Sequence, residues 1–229
     1  MKGMILNENS DTVSIIVFAS SNKKTGDMNQ IYILNKDISP LEAVKTGLNS
    51  KICFDCKHAK NNTCYVNVGQ APTQVYNAYK KGLYSPLDTD ILKHMVKYKP
   101  VRFGAYGEPV LIPLEIVKLI AENTKGFTGY THQWQNLEYN AYKQYFMASV
   151  ETAQEMLLAV KLGFRYYRTG TSNEKPKNNE ILCPNTTNGI TCRDCRLCNG
   201  NTYKGKNIFI NVHGTKGKIN KFNTTALNL

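Results

Sequence analysis

The chain is short of acid: 17 Asp and Glu stand against 29 Lys and Arg in 229 residues, a formal charge of +12. That balance excludes an acidic solvating protein and favours anionic partners. Long apolar runs are missing too. The stretch Ile15–Ala19 falls far short of the roughly 20 residues of a membrane-spanning helix, so no membrane partner is expected. The segment Met1–Glu8 lacks the apolar core of a secretion signal, and the expected setting is a reducing cytoplasm. No internal repeat is visible. What is present is a 41% hydrophobic, 20% charged composition, that of a globular protein with a sizeable core.

Seven cysteines in such a setting are poor disulfide candidates, and an odd number cannot all pair within one chain. They fall into two groups. Cys53, Cys56 and Cys64 form one, Cys183, Cys192, Cys195 and Cys198 the other. Clustered cysteines of this kind read first as metal ligands.

Turn chemistry at Ser21–Asp27 joins predicted strands Ser14–Ser20 and Gln30–Leu34 in a hairpin. Ser39-Pro40-Leu41-Glu42 has a serine cap, proline at the first helical position and glutamate three residues past the cap, with Gly47 to stop the helix. Helices are expected over Thr73–Lys81 and Asp90–Tyr98. From Val101 the pattern alternates: strand Val101–Tyr106, helix Pro113–Asn123, strands Phe127–His132 and Gln144–Val150, helix Glu151–Leu162, strand Phe164–Arg168. This implies parallel βαβ units, too few for a closed barrel of about 250 residues. The expected fold is therefore α/β: an N-terminal hairpin and a partial (βα) barrel with the first metal site over residues 1–170. A polar, cysteine-rich C-terminal segment, residues 171–229, packs on the barrel and holds one expected strand, Asn207–His213.

The spacing Cys53-x2-Cys56-x7-Cys64 offers three thiolates, which suit a 4Fe–4S cluster with one open iron or, with His58, a tetrahedral zinc ion. Cys183-Pro184 with Cys192-x2-Cys195-x2-Cys198 has the spacing of ferredoxin-type cluster loops, with zinc as the alternative.

The segment Gly104-Ala105-Tyr106-Gly107-Glu108-Pro109, following three cysteines and ending a strand, resembles the Gly-Gly-Glu-Pro motif of radical S-adenosylmethionine (SAM) enzymes. The C-terminal cysteines and Tyr130-Thr131-His132-Gln133-Trp134 look like radical-SAM-like proteins of phages and mobile elements. The family spacing is Cys-x3-Cys-x2-Cys, where this chain has x2 and then x7. The resemblance implies a partial barrel, SAM bound at the open iron of the first cluster, and Gly104, Gly107, Glu108 and Pro109 beside the cofactor, Glu108 accepting from its ammonium group. The second cysteine group would hold an auxiliary cluster or structural zinc. The substrate, a small molecule or a nucleic acid, is not legible.

Other residues lie where strands of βα folds end, the usual place for chemistry. His132 is a candidate acid/base or ligand beside Trp134, and Arg168 a candidate for a carboxylate or phosphate. Ser149 and Glu151 read as the cap and first-turn acid of the next helix. Lys80, Lys81, Lys93, Lys97 and Lys99, with tail residues Lys204, Lys206, Lys216, Lys218 and Lys221 among Tyr203, Phe209 and Phe222, support the alternative. That alternative is a non-enzymatic protein, stabilised by zinc or a cluster, that binds nucleic acid.

Overall fold

The computed structural model describes residues 2–18, 22–202 and 205–226. Residues 19–21 of the predicted hairpin, and Tyr203 and Lys204 of the basic tail, lie outside the described residues. Among the described residues, the strands form two five-stranded sheets in a mixed α/β fold. No helix among them is long and apolar enough to cross a membrane.

The first sheet begins with Gly3–Glu8 (β1), a strand not expected from the sequence, paired antiparallel with Thr12–Val17 (β2). β2 pairs antiparallel with Asn29–Asn35 (β3), as the hairpin required. β3 is buried along its whole length, because it lies between β2 and the parallel strand Val101–Tyr106 (β4) with helices packed over it. Those helices include Pro40–Thr46 (α1), whose cap Ser39 accepts from Glu42 N–H and which ends at Gly47 with φ 76°. Next come the short Ser50–Cys53 (α2) and Lys57–Lys60 (α3), then Ala71–Lys80 (α4) and Thr89–Val96 (α5). Leu92 and Val96 of α5 join Val117 and Ile120 of the helix Leu114–Asn123 (α6) in one core with Ile31 and Ile33.

The predicted strand Phe127–His132 is interrupted at Gly129. Phe127–Thr128 (β5) pairs with β4, whereas Tyr130–Thr131 (β6) opens the second sheet against Met147–Val150 (β7). At the break, Gly129 N–H donates to the Cys198 carbonyl. A side chain there would have its Cβ 2.6 Å from the Phe146 ring, so glycine is required. β7 starts three residues later than expected, because Leu137–Gln144 winds as 3₁₀ helix. The helix Ala153–Lys161 (α7) is capped by a Thr152/Glu155 capping box, which corrects the assignment of the cap to Ser149 and Glu151.

The second sheet runs β6-β7-β8-β10-β9, with every neighbouring pair parallel. Here β8 is Tyr166–Gly170, β9 is Glu180–Leu182 and β10 is Asn207–Asn211. The cysteine-rich segment thus inserts two strands into this sheet, one more than expected. It also carries Pro184–Asn188 (α8), Cys192–Cys195 (α9) and Lys216–Ala226 (α10).

Two arginines fasten the segment. Arg165 donates to Asn199 Oδ1 and to the carbonyls of Leu197, Gly200 and Lys206. Arg168, 1% exposed, makes a bidentate pair with Glu180 at 2.7 and 2.8 Å and stacks on Phe209.

Candidate metal centre

All seven cysteines are free thiols, and all seven line one cavity of about 160 Å³. That is roughly ten times the space of about 15 Å³ that one water needs. Two groups separated by more than a hundred residues thus face a common space.

The first group sits on a tight local scaffold. α2 ends at Cys53, and Phe54 turns the chain at φ 50°, a strained value for an aromatic residue, so that Cys56 N–H donates to the Cys53 carbonyl. α3 then takes up most of the x7 spacing. Thr63 and Cys64 N–H both donate back to the His58 carbonyl, which returns Cys64 to its partners. Burial, with Cys56 and Cys64 nearby, pushes the Cys53 thiol well up, and burial also raises Cys64. Without a cation these sulfurs stay protonated.

The segment of residues 104–108 lines the cavity together with this group, and Pro109 does not. Its glycines serve the backbone. Gly107 has φ 79° and a Cβ there would lie 2.8 Å from Ile33, so its close approach is to β3 and not to a ligand. Gly104, at φ 64°, lies in the irregular β3–β4 register between Gln30 and Tyr32. Pro109 starts a buried 3₁₀ turn behind the lining.

The Glu108 carboxylate accepts from Thr131 Oγ1 at 2.8 Å and from His132 N–H at 2.9 Å, and His132 Nδ1 lies 2.9 Å from it. Glu108 therefore holds His132 in place. Burial opposes a charge on His132, but the Cys56 sulfur and Glu108 carboxylate beside it hold its pKa well above the usual histidine value. His58, two residues after Cys56, points elsewhere: Nδ1 meets Thr63 Oγ1 and Nε2 lies 3.0 Å from Glu151 Oε1.

The second group lies across the cavity. Cys183 N–H donates to the Phe209 carbonyl of β10, Cys192 N–H to the Lys24 carbonyl, and the Cys198 carbonyl takes Gly129 N–H. Burial raises the thiols of Cys192, Cys195 and Cys198, and a hydrogen bond from Tyr130 acts on Cys198 in the opposite direction. Two cations face these sulfurs. Lys24 Nζ sits 2.7 Å from His213 Nε2, and burial lowers its pKa; burial beside Lys24 also drops His213 to about 4, leaving the imidazole a neutral acceptor. Arg102, 9% exposed, donates to Tyr65 Oη, has no carboxylate partner among the described residues, and leaves its Nε without a hydrogen bond.

Those buried cations test whether a metal fits. Two uncompensated positive charges beside thiols that burial holds neutral at Cys192, Cys195 and Cys198 are costly. Four thiolates on a divalent ion, or on a 4Fe–4S core of charge 2+, carry two net negative charges and balance Lys24 and Arg102. The donor set and its surroundings fit such a centre.

The other sequence candidates are placed as follows. Arg168 does not line the cavity; its neighbours Tyr167 and Thr169 do, as strand alternation requires. Its carboxylates are internal, Glu174 and Glu180, which corrects its assignment as a substrate-binding residue. Trp134 is a core residue that donates Nε1–H to the Ser149 carbonyl. Sequence reading missed Arg102 and Tyr130, whose roles come from strand register, Lys24 in the turn after β2, and Glu151, which reads as a first-turn helix acid. The chain matches no protein-family model, no curated protein and no solved structure.

Proposed function

We propose that the chain is an iron–sulfur enzyme of radical-SAM-like architecture working in a reducing cytoplasm. Cys53, Cys56 and Cys64 would hold a 4Fe–4S cluster with one iron open to the cavity, and Cys183, Cys192, Cys195 and Cys198 a second cluster or a zinc ion. The observation that carries this reading is the convergence of all seven free thiols on the cavity bordered by Gly104–Glu108. Parallel pairing of β3, β4 and β5, and of β6, β7 and β8, in chain order supports a partial barrel. When bound, the clusters supply electron transfer and, with SAM, radical chemistry. The protein's own share is to hold thiolates, orient His132 through Glu108, and balance charge through Arg102 and Lys24.

The nucleic-acid alternative draws less support, because Lys80, Lys93 and Lys99 of its candidate lysines are each paired with a carboxylate. Anaerobic purification followed by iron, zinc and sulfide analysis tests the proposal. Iron with stoichiometric sulfide and broad visible absorption is expected, together with a change in the spectrum of the reduced cluster on adding SAM. Zinc alone at both groups would overturn it.

A further inference from the structure

Beside the thiolates lies a different set of donors. His58 of α3, His132 after β6 and Glu151 after β7 each offer one ligand atom, and these atoms all lie within 4.8 Å of one another. No cysteine belongs to this group.

Three observations separate the group from an ordinary cluster of polar side chains. First, each histidine has its Nδ1 engaged, His132 with Glu108 at 2.9 Å and His58 with Thr63 Oγ1 at 3.0 Å. Histidines that bind metal through Nε2 are held in this way, the second nitrogen fixed by a carboxylate or other acceptor. Second, His132 Nε2 and Glu151 Oε1 are buried and make no hydrogen bond of good geometry, although the His132 ring, its Nδ1 taken by Glu108, also adjoins the Cys56 thiol. Glu151 Oε1 lies 3.0 Å from His58 Nε2, yet off the line of an N–H···O bond. That separation is the spacing of adjacent ligands on an ion with bonds of about 2.1 Å, roughly 3.0 to 3.4 Å. Third, the supports are rigid. Glu151 N–H donates to Glu155 Oε2 within the α7 cap, and the His58 ring stacks on the buried Phe222 of α10 at 5.7 Å.

The geometry points to a mononuclear metal site formed by His58 Nε2, His132 Nε2 and Glu151 Oε1, which adjoins the first cysteine group but takes no cysteine as a ligand. Two imidazoles and one carboxylate suit a divalent first-row ion such as Fe²⁺, Mn²⁺ or Zn²⁺, not the soft-ligand chemistry of the thiolates. Three protein ligands leave coordination positions free, which is the mark of a reactive site rather than a closed structural one. His58 and His132 both line the cavity, so those positions face the space shared by the thiols.

This site does not depend on the cluster reading, and one experiment separates the two. Mn²⁺, which thiolates bind poorly, is titrated anaerobically into the full-length protein as purified, and free Mn²⁺ is followed by electron paramagnetic resonance. One ion per chain should be taken up, with affinity falling at least tenfold in Glu151→Gln and in His58→Gln. Pulsed measurements on the parent's bound Mn²⁺ should show coupling to imidazole nitrogen, a readout that needs no variant to fold. Absence of uptake, uptake without nitrogen coupling, or unchanged affinity in well-folded variants would overturn the site. Mn²⁺ uptake in a protein lacking iron and sulfide would support this site while removing the cluster proposal.

Discussion

Replacing Arg102 with methionine should change stability in opposite directions with and without metal. In the metal-free chain the guanidinium is buried, has no carboxylate among the described residues, and faces thiols that burial keeps protonated. Leaving a charge buried without a counterion costs about 3–5 kcal/mol. Arg102→Met removes that cost and loses the hydrogen bond to Tyr65, worth about 1 kcal/mol. The metal-free variant should therefore be more stable than the metal-free parent by about 2 kcal/mol or more. In a chain of this size that corresponds to a rise in midpoint of about 4–8 °C. With metal bound, the neighbouring sulfurs are thiolates and the same guanidinium is attractive, so the loaded variant should melt below the loaded parent. The assay is thermal unfolding under argon, followed by circular dichroism, on parent and variant before and after chelation. A shift of the same sign in both states would mean that Arg102 does not serve the thiolate centre, and the charge-balance reasoning would be withdrawn.

The Arg168–Glu180 pair gives a pH test free of any metal. The pair is desolvated, but Arg168 and the Lys177 N–H bind the Glu180 carboxylate and hold its pKa below the usual value. A depressed folded-state pKa contributes stability above the unfolded value of about 4.3 that is lost as pH falls through the folded one. Because Arg168 keeps Glu174 as a second carboxylate partner, Glu180→Gln should lower stability at pH 7 by about 1–2 kcal/mol, and urea melts from pH 7 to pH 3 should show a shallower acid decline than in the parent. An unchanged acid slope would exclude this role. For Cys195→Ser, the arginine anchors predict a narrow effect: trypsin should gain access at Arg193 and Arg196, while β9 and β10 stay protected. Cleavage spreading through residues 171–207 would show that metal, not Arg165 and Arg168, orders the segment.

The sequence was legible where chemistry is local. Ser39, Pro40 and Gly47 specify α1 through caps and fixed dihedrals, and the helix stands where they put it. β4 has the predicted bounds because Val101, Phe103 and Tyr106 favour a strand and the segment follows Pro100. The grouping of the cysteines is legible in the sequence, whereas their meeting at one cavity is not. Failures have a common cause in tertiary context. β9 is a three-residue strand whose only strong apolar residues are Ile181 and Leu182, and it is stabilised by pairing with β10. Glu180 at its start reads as a surface acid until Arg168 is brought against it. Glu151 fits the profile of a first-turn helix acid, and only the return of α3 past β7 sets His58 against it.

The arrangement of β4 explains why the two cysteine groups act on one space. Arg102 lies early in the strand and faces the second group, whereas Glu108 just past its end reaches His132 beside the first. Between them the register shifts, and Gly104 takes a left-handed conformation that a residue with a side chain adopts at a cost. A regular strand would alternate its side chains between two faces, with Arg102 and Glu108 six residues apart on one of them. The irregularity changes the direction of the chain, and Glu108 N–H docks on the Ile52 carbonyl, one residue before Cys53. One strand thus touches the scaffold of one group and supplies the counter-charge of the other. A change confined to β4, such as Gly104→Ala, is therefore the single substitution best placed to disturb both groups at once.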